Sequence, residues 1–248
     1  MISIQKVSKS FGPTLAIDDI SFDCAENSFI SIVGPSGCGK STLLRMVAGL
    51  IRPSGGAIIV RGENVTRPLR DVGMVFQSPV LLPWRTTLEN ILFVAEMGGL
   101  GAAAHLKRAT ELIELAELTG FENSYPHELS GGMQQRVSIC RAMLLRPSLI
   151  LMDEPFGSLD VITRERMGFA MQTLWDESRS TVLFVTHSIS EAVLLSDTVV
   201  VMTSRPGSIR DIVPIGLQRP RRSETLRDPK FIEFSSRVHD GIDSLNTE

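Results

Sequence analysis

Three short runs of this chain hold residue types that can handle a polyphosphate. The first, Gly34-Pro-Ser-Gly-Cys-Gly-Lys-Ser41, fits the pattern GxxxxGK[ST]. It follows the apolar run Phe29-Ile-Ser-Ile-Val33 and opens a stretch of helical spacing from Lys40 to Leu50. That order suits the pattern: glycines let backbone N–H groups converge on anionic oxygens, and the helix behind them adds the positive end of its dipole. Lys40 has the reach to meet the outer phosphates, and the Ser41 hydroxyl suits Mg2+. The second run, Leu149-Ile-Leu-Met-Asp-Glu-Pro155, is an apolar strand ending in two acids. Its burial would leave Asp153 and Glu154 at the carboxyl end of a strand, where open α/β sheets bind ligands. Asp153 would hold Mg2+, directly or through water, and Glu154 would polarise an attacking water. The third run is Leu129-Ser-Gly-Gly-Met-Gln-Gln-Arg136. Ser130 is placed to N-cap a helix whose first turn Gly131 and Gly132 leave open to close approach. The first run already cradles a nucleotide, so this second anion site needs a second phosphate or a second copy of the chain.

With this third run the chain resembles the ATP-binding subunits of ATP-binding cassette (ABC) transporters, whose signature is LSGGQ-like. The resemblance extends from Met1 to about residue 215. It implies a homodimer in which two chains sandwich two Mg2+·ATP head to tail. Gly34, Pro35, Ser36, Gly37, Cys38, Gly39, Lys40, Ser41 and Thr42 of one chain would hold the nucleotide that Ser130, Gly131, Gly132 and Gln134 of the other chain cap. Gln77, after the strand Val72 to Phe76, matches the glutamine that touches Mg2+ and the attacking water. The metal set is then Ser41, Gln77 and Asp153. Ser158-Leu-Asp160 matches the loop that crosses the dimer interface, and His187 matches the histidine that contacts the γ-phosphate. Phe11 stands where the family stacks an aromatic on adenine. The catalytic set implied is Lys40, Gln77, Glu154 and His187, carrying out hydrolysis of ATP. Singly, a Gln after a strand, a lone His and a Phe each have an ordinary structural reading; their order and spacing together carry the resemblance.

A narrower likeness, to the nitrate/sulfonate/taurine branch of bacterial importers, rests on four segments. These are Phe76-Gln-Ser-Pro-Val-Leu-Leu-Pro-Trp84, Tyr125-Pro-His-Glu-Leu-Ser130, Met152-Asp-Glu-Pro-Phe-Gly157 and Arg205-Pro-Gly207. Cys140, Ser158 and Val161 depart from the branch's more usual residues without removing a catalytic group. The likeness implies a transmembrane permease as partner, a solute-binding protein as indirect partner, and a peripheral place on the cytoplasmic face of the membrane. Rival readings are a soluble ABC ATPase with a role outside transport, a regulatory subunit without turnover, and a small-molecule kinase. Soluble relatives of the first kind carry two cassettes or a long coiled-coil insertion, and this chain has neither.

These residues need elements to position them. Strands alternating with helices predict a mostly parallel sheet covered on both faces, an α/β architecture. With the resemblance, the expectation is a P-loop NTPase (RecA-like) core, an antiparallel β-subdomain near the N-terminus and an inserted helical subdomain over about residues 86–146. The insert shows helical spacing at Leu88, Ile91, Leu92 and Ala95, then at Ala109, Leu112, Ile113 and Ala116, with Gly98-Gly-Leu-Gly101 between. Residues 1–217 are expected to form the ATPase domain and 218–248 an extension with no readable role. The tail from Pro206 onward, with Arg219, Arg221 and Arg222, is expected on the surface. Of the 248 residues, 43% are hydrophobic and the net charge is −3, which argues against nucleic acid as a partner. No apolar run reaches the ~18 residues of a membrane span, and the N-terminus lacks the apolar core of a secretory leader. Cys24, Cys38 and Cys140 form no CxxC pair, as suits a reducing compartment. Cys38, inside the phosphate loop, is expected to be the reactive thiol and to be shielded by Mg2+·ATP. Leu81-Leu-Pro-Trp84 is either a buried hairpin tip or part of the surface that receives the permease.

Overall fold

A computed structural model describes residues 1–243. Its strands are β1 (Ile2–Phe11), β2 (Thr14–Cys24), β3 (Phe29–Val33), β4 (Gly55–Val60), β5 (Glu63–Asn64), β6 (Val72–Val75), β7 (Leu149–Asp153), β8 (Thr181–Val185), β9 (Thr198–Met202) and β10 (Ile209–Pro214). The helices are α1 (Lys40–Val47), α2 (Thr87–Met97), α3 (Leu106–Leu115), α4 (Gly131–Met143), α5 (Val161–Ser178), α6 (Ile189–Leu195) and α7 (Pro229–Asp243). They group into two compact units. One comprises Met1–Arg70 together with the chain from Thr181 onward, and the other Asp71–Ser180.

The first unit contains the expected antiparallel sheet, in the order β2-β1-β4-β5. It also contains β3 between β8 and β9, all three parallel, with β10 added antiparallel to β9. Every residue of β3 and β8 is buried, which explains their largely apolar composition, with Ser31 and Thr181 the polar exceptions. Phe29 and Phe184 pack across these neighbours with ring centroids 5.8 Å apart. The register pairs Ile32 with Val185 and Val33 with Val201, so the carboxyl ends of β3, β8 and β9 share one edge. α1 buries Leu43, Leu44, Met46 and Val47. At roughly 1.5–3 kcal/mol per buried large side chain, that face fixes the helix behind the phosphate loop.

In the second unit β6 runs parallel to β7, pairing Val75 with Met152. α4 packs so closely on β6 that a Cβ at Gly73 would lie 2.4 Å from the Ala142 carbonyl oxygen. Helices α2, α3 and α4 supply the expected helical insert, α2 starting from a capping box in which Thr86 and Glu89 satisfy each other's backbone N–H. Buried Asn90 fixes the loop before α2: its Nδ2 donates to the carbonyls of Leu82, Arg85 and Thr86, and its Oδ1 accepts from Leu82 N–H. That loop holds Trp84 out, 71% exposed. The hairpin-tip alternative is thereby excluded.

The tail departs from expectation. β10 extends the first unit's parallel strands, α7 packs on α6, β9 and β10, and Val213, Ile215, Leu217, Phe231 and Val238 are buried. Arg221 is 2% exposed. The tail from Pro206 is therefore built into the first unit rather than laid on its surface, although Arg222 is exposed. The unit boundaries also fall at Arg70/Asp71 and Ser180/Thr181, wider than the helical insert alone: β6 packs on α4 and pairs with β7, and Arg108 of α3 pairs with Glu177 of α5.

Candidate nucleotide site

The phosphate loop sits at the edge where β3, β8 and β9 end. α1 starts with Gly39 as N-cap at φ +102° and no side-chain cap, so no capping side chain competes with an anion at the start of the helix. Lys40 is 5% exposed, and its ammonium donates to the carbonyls of Gly34 at 2.8 Å and Pro35 at 2.9 Å, with Cys38 Sγ at 3.7 Å. None of these partners carries negative charge. A buried cation held only by dipoles beside an uncapped helix start is a site built for a polyanion.

Two flanking segments hold the loop in shape, and sequence reasoning missed both. Gly207 donates its N–H to Ala16 O at 3.0 Å and accepts from Asp18 N at 2.9 Å. A Cβ at Gly207 would fall 1.9 Å from the Cys38 carbonyl oxygen, so only glycine fits beneath the loop. Arg205 donates to Gly37 O at 3.3 Å. The sequence signal is the Arg205-Pro-Gly207 run itself, whose residue types alone do not reveal that it lies against the loop. The Cys38 side chain turns under the loop and is fully buried, which corrects the expectation of an accessible, reactive thiol. Ser36 and Gly37 are the exposed part of the loop, and Ser41 and Thr42 are half-buried.

His187 follows β8 on the same edge and is exposed. The turn around it is fixed from both sides: Thr186 N–H donates to Ile32 O at 3.2 Å, the Thr186 hydroxyl to Glu191 Oε2 at 2.5 Å, and Ser188 N–H to Thr186 Oγ1 at 3.0 Å. Ser188 then N-caps α6 through Glu191 N–H. Phe11 is half-exposed at the β1–β2 turn, with the Lys9 ammonium 5.1 Å from its ring centroid.

The second unit gathers Gln77, Asp153 and Glu154. They stand just beyond the paired ends of β6 and β7 or at them, with Asp153 buried and Gln77 exposed. Gln77 Nε2 donates to Glu154 Oε2 at 3.2 Å. Glu154 adopts φ +46°, a left-handed backbone that a non-glycine residue takes at a cost of about 1–3 kcal/mol, concentrated at functional sites. Ser130 caps α4 as expected, its Oγ accepting from Met133 N–H at 3.3 Å, and Ser130 and Gly131 are exposed. Gln135 Nε2 donates to Phe76 O at 2.9 Å and so ties the signature helix to the strand that precedes Gln77.

Two expected nucleotide ligands are engaged by their own chain. Gln134 Nε2 donates to the carbonyls of Pro126 and Leu129, bracing the signature loop. Asp160 Oδ1 accepts from Ile162 N–H at 3.1 Å and Thr163 N–H at 3.0 Å as the N-cap of α5. Hydrogen bonds from Thr163, then from Ile162, hold the Asp160 carboxyl below the usual carboxylate range. Gly132 packs on Leu159, a Cβ there reaching 3.0 Å from Cδ2, so the loop of Asp160 rests on the start of the signature helix.

Residues 17–157 match the family described as ABC transporter. The chain belongs to that family. This ABC cassette is 45% identical over 223 residues to an ABC transporter ATP-binding protein of Methanocaldococcus jannaschii, an alignment covering 90% of this chain and 82% of that protein. It is 42% identical over 233 residues to the aliphatic sulfonates import ATP-binding protein SsuB of Bacillus cereus, covering 92% of each. Among solved structures it is similar to a dimeric ATP-binding cassette in a post-hydrolysis state bound to ADP and Pi, with TM-score 0.78, 31% identity, and coverage of 88% of this chain and 100% of that one. The fold is that of the P-loop ABC ATPases, and the ABC cassette described here is an ATPase that binds ATP.

Proposed function

We propose that this cassette drives import of a small sulfonate-type anion through a membrane permease, working as a homodimer with ATP between its two copies. The observation that carries the ATP-dependent step is the buried Lys40 ammonium with only uncharged partners beside the uncapped start of α1. The solute class is supported by the SsuB relatives, whose likeness extends over the length of both chains. Among the described residues no helix is long and apolar enough to cross a membrane, so attachment at the cytoplasmic face would run through permease subunits. A solute-binding protein would deliver the anion from outside.

Phe11 would meet the adenine, and the amides of residues 34–42 the phosphates. The donors at hand suit Mg2+, which typically takes one or two carboxylates and completes its shell with other oxygens, phosphate and water: the Ser41 hydroxyl, the Asp153 carboxylate and the Gln77 amide oxygen would hold it. Bound there, Mg2+ supplies charge neutralisation on the phosphate oxygens. Lys40 stabilises negative charge from inside the loop, and Glu154, oriented by Gln77, accepts the proton of the attacking water. His187 reports the γ-phosphate to α6. Ser130, Gly131 and Gly132 of a second copy cap the phosphates from the opposite side, where the open first turn of α4 favours an anion.

Glu154→Gln keeps the shape and the hydrogen-bonding reach but removes the base. ATP turnover should fall at least about 10²-fold while ATP binding is kept, and the variant should dimerise with ATP in gel filtration. Wild-type turnover by this variant removes Glu154 from its role. For the solute, disruption of the gene should abolish growth on an alkanesulfonate as sole sulfur source, and the wild-type chain, unlike Glu154→Gln, should restore it. Unchanged growth of the disrupted strain would refute the sulfonate assignment and leave the ATPase reading in place.

A further inference from the structure

The extension that the sequence leaves without a role makes a dense set of charged hydrogen bonds within the first unit. α6 ends at Leu195, and a helix leaves its last four carbonyls without partners from within. Ser196 N–H satisfies Ala192 O. The other three are taken by two arginines from the tail. Arg221 Nη1 donates to Val193 O at 2.9 Å and Leu194 O at 3.0 Å, and also to Ser196 O at 2.8 Å. Arg219 Nη2 donates to Leu195 O at 2.5 Å. Cations at this end of a helix are also favoured by its dipole.

Through Asp197 and Ser196 these arginines connect to the strand that feeds the phosphate loop. Arg219 Nε and Nη2 donate to Asp197 Oδ1 at 3.1 and 2.8 Å, while Asp197 Oδ2 accepts from Phe29 N–H at 2.9 Å and Asp197 N–H donates to Phe29 O at 2.7 Å. The hydroxyls of Ser31 and Ser196 are hydrogen-bonded to each other. Phe29 opens β3, which runs directly into Gly34 of the phosphate loop. α6 is roughly 10 Å long at 1.5 Å per residue, and its far end is Ser188 beside His187. One junction thus holds the rear of both elements whose front ends carry the phosphate loop and the histidine.

We propose that Arg219 and Arg221 are positioning residues for ATP hydrolysis: they lock the rear of α6 to the rear of β3 and so fix His187 relative to the phosphate loop. This rests on the reading of His187 given above. The length of α6 suits it to transmit the lock, since its first turn is tied to β8 through Thr186, Ser188 and Glu191. The guanidinium of Arg221 keeps its charge at neutral pH, although burial, with Arg219 beside it, pushes it down to about 10 against the pull of Asp197. Lysine cannot replace such a planar fork, because one ammonium cannot serve carbonyls spread from Val193 to Leu217.

The test uses the full-length protein with Arg219→Gln and, separately, Arg221→Lys. The chain has four histidines, so the imidazole resonances are few and His187 is assigned by its loss in His187→Gln. In each arginine variant the His187 resonance of the ATP-analogue complex should shift or broaden while His105 and His127 stay in place. ATP hydrolysis should lose about 10-fold or more in kcat, the scale of a sub-ångström to ångström misplacement, with the Kd for ATP within about 2-fold of wild type. A wild-type His187 resonance in a folded variant overturns the lock, whatever happens to kcat or Tm. A moved resonance with unchanged kcat leaves the lock standing and refutes the catalytic reading of His187 instead. If neither variant folds, the arginines are elements of stability and the proposal fails.

Discussion

At the scale of single residues, chemistry depends on which way a side chain turns, and Cys38 shows how far that can differ from its place in the sequence. Its neighbours Gly37 and Gly39 place it inside the phosphate loop, yet the thiol faces down among Gly34 and the Lys40 ammonium and is fully buried. Cys24 and Cys140 are buried too, and burial pushes both thiols up to about 12. A thiol-specific reagent at pH 8 should therefore label none of the three cysteines in the native protein and all three in denaturant. Rapid labelling of Cys38 in the native, nucleotide-free chain would mean that the loop opens. By contrast Lys40, Ser130, Asp153 and Glu154 were legible in the sequence, because flanking glycines and apolar runs leave such residues few places to go. The commitments of Gln134 and Asp160 to their own backbone were not legible, since a spacing pattern does not reveal which acceptor an amide or carboxylate finds first.

Among the elements, helices and strands with one clear period were readable to within a turn. β3 ends where its apolar run ends, and β6 stops one residue short of the expected strand Val72 to Phe76. β10 and α7 escaped for a physical reason. Of β10 only Val213 is buried, and it lies between Ile212 and Pro214, both of which are exposed. In α7 Phe231 and Val238 are buried seven residues apart, a stripe too narrow to stand out, and Ile232 beside it is 57% exposed. The loop before α2 makes its own prediction. Asn90 braces its backbone, so Trp84 is displayed rather than left to wander, with Val80 also exposed and Leu81 and Leu82 partly so. A large aromatic on a fixed loop suits the centre of an interface. Trp84→Ala should weaken co-purification with the permease while basal ATPase and Tm of the isolated chain stay near wild type. Intact assembly and uptake, or loss of folding, would remove the loop from the permease interface.

Over the whole molecule, the order in which the chain is made conflicts with the order in which it packs. The first unit draws on both ends of the chain: β3 is made early, yet its neighbours β8 and β9 follow only after the whole of Asp71–Ser180. Ile32 pairs with Val185, a partner that contributes nothing until most of the protein has left the ribosome. At about 5–20 residues per second, the apolar strand Phe29–Val33 waits on the order of 10 s or more for that cover. The second unit is continuous in sequence and can close during that interval. Nascent chains halted after Ser180 should thus show a protease-sensitive β3 region beside a resistant 71–180 fragment, and protection of β3 should appear only once residues up to Leu217 have emerged. Early protection of β3 would contradict this sequence of events. The exposed interval makes the nascent phosphate-loop strand a natural client for a chaperone that holds short hydrophobic segments, and it makes translation speed through the middle of the message a determinant of how much active protein the cell recovers.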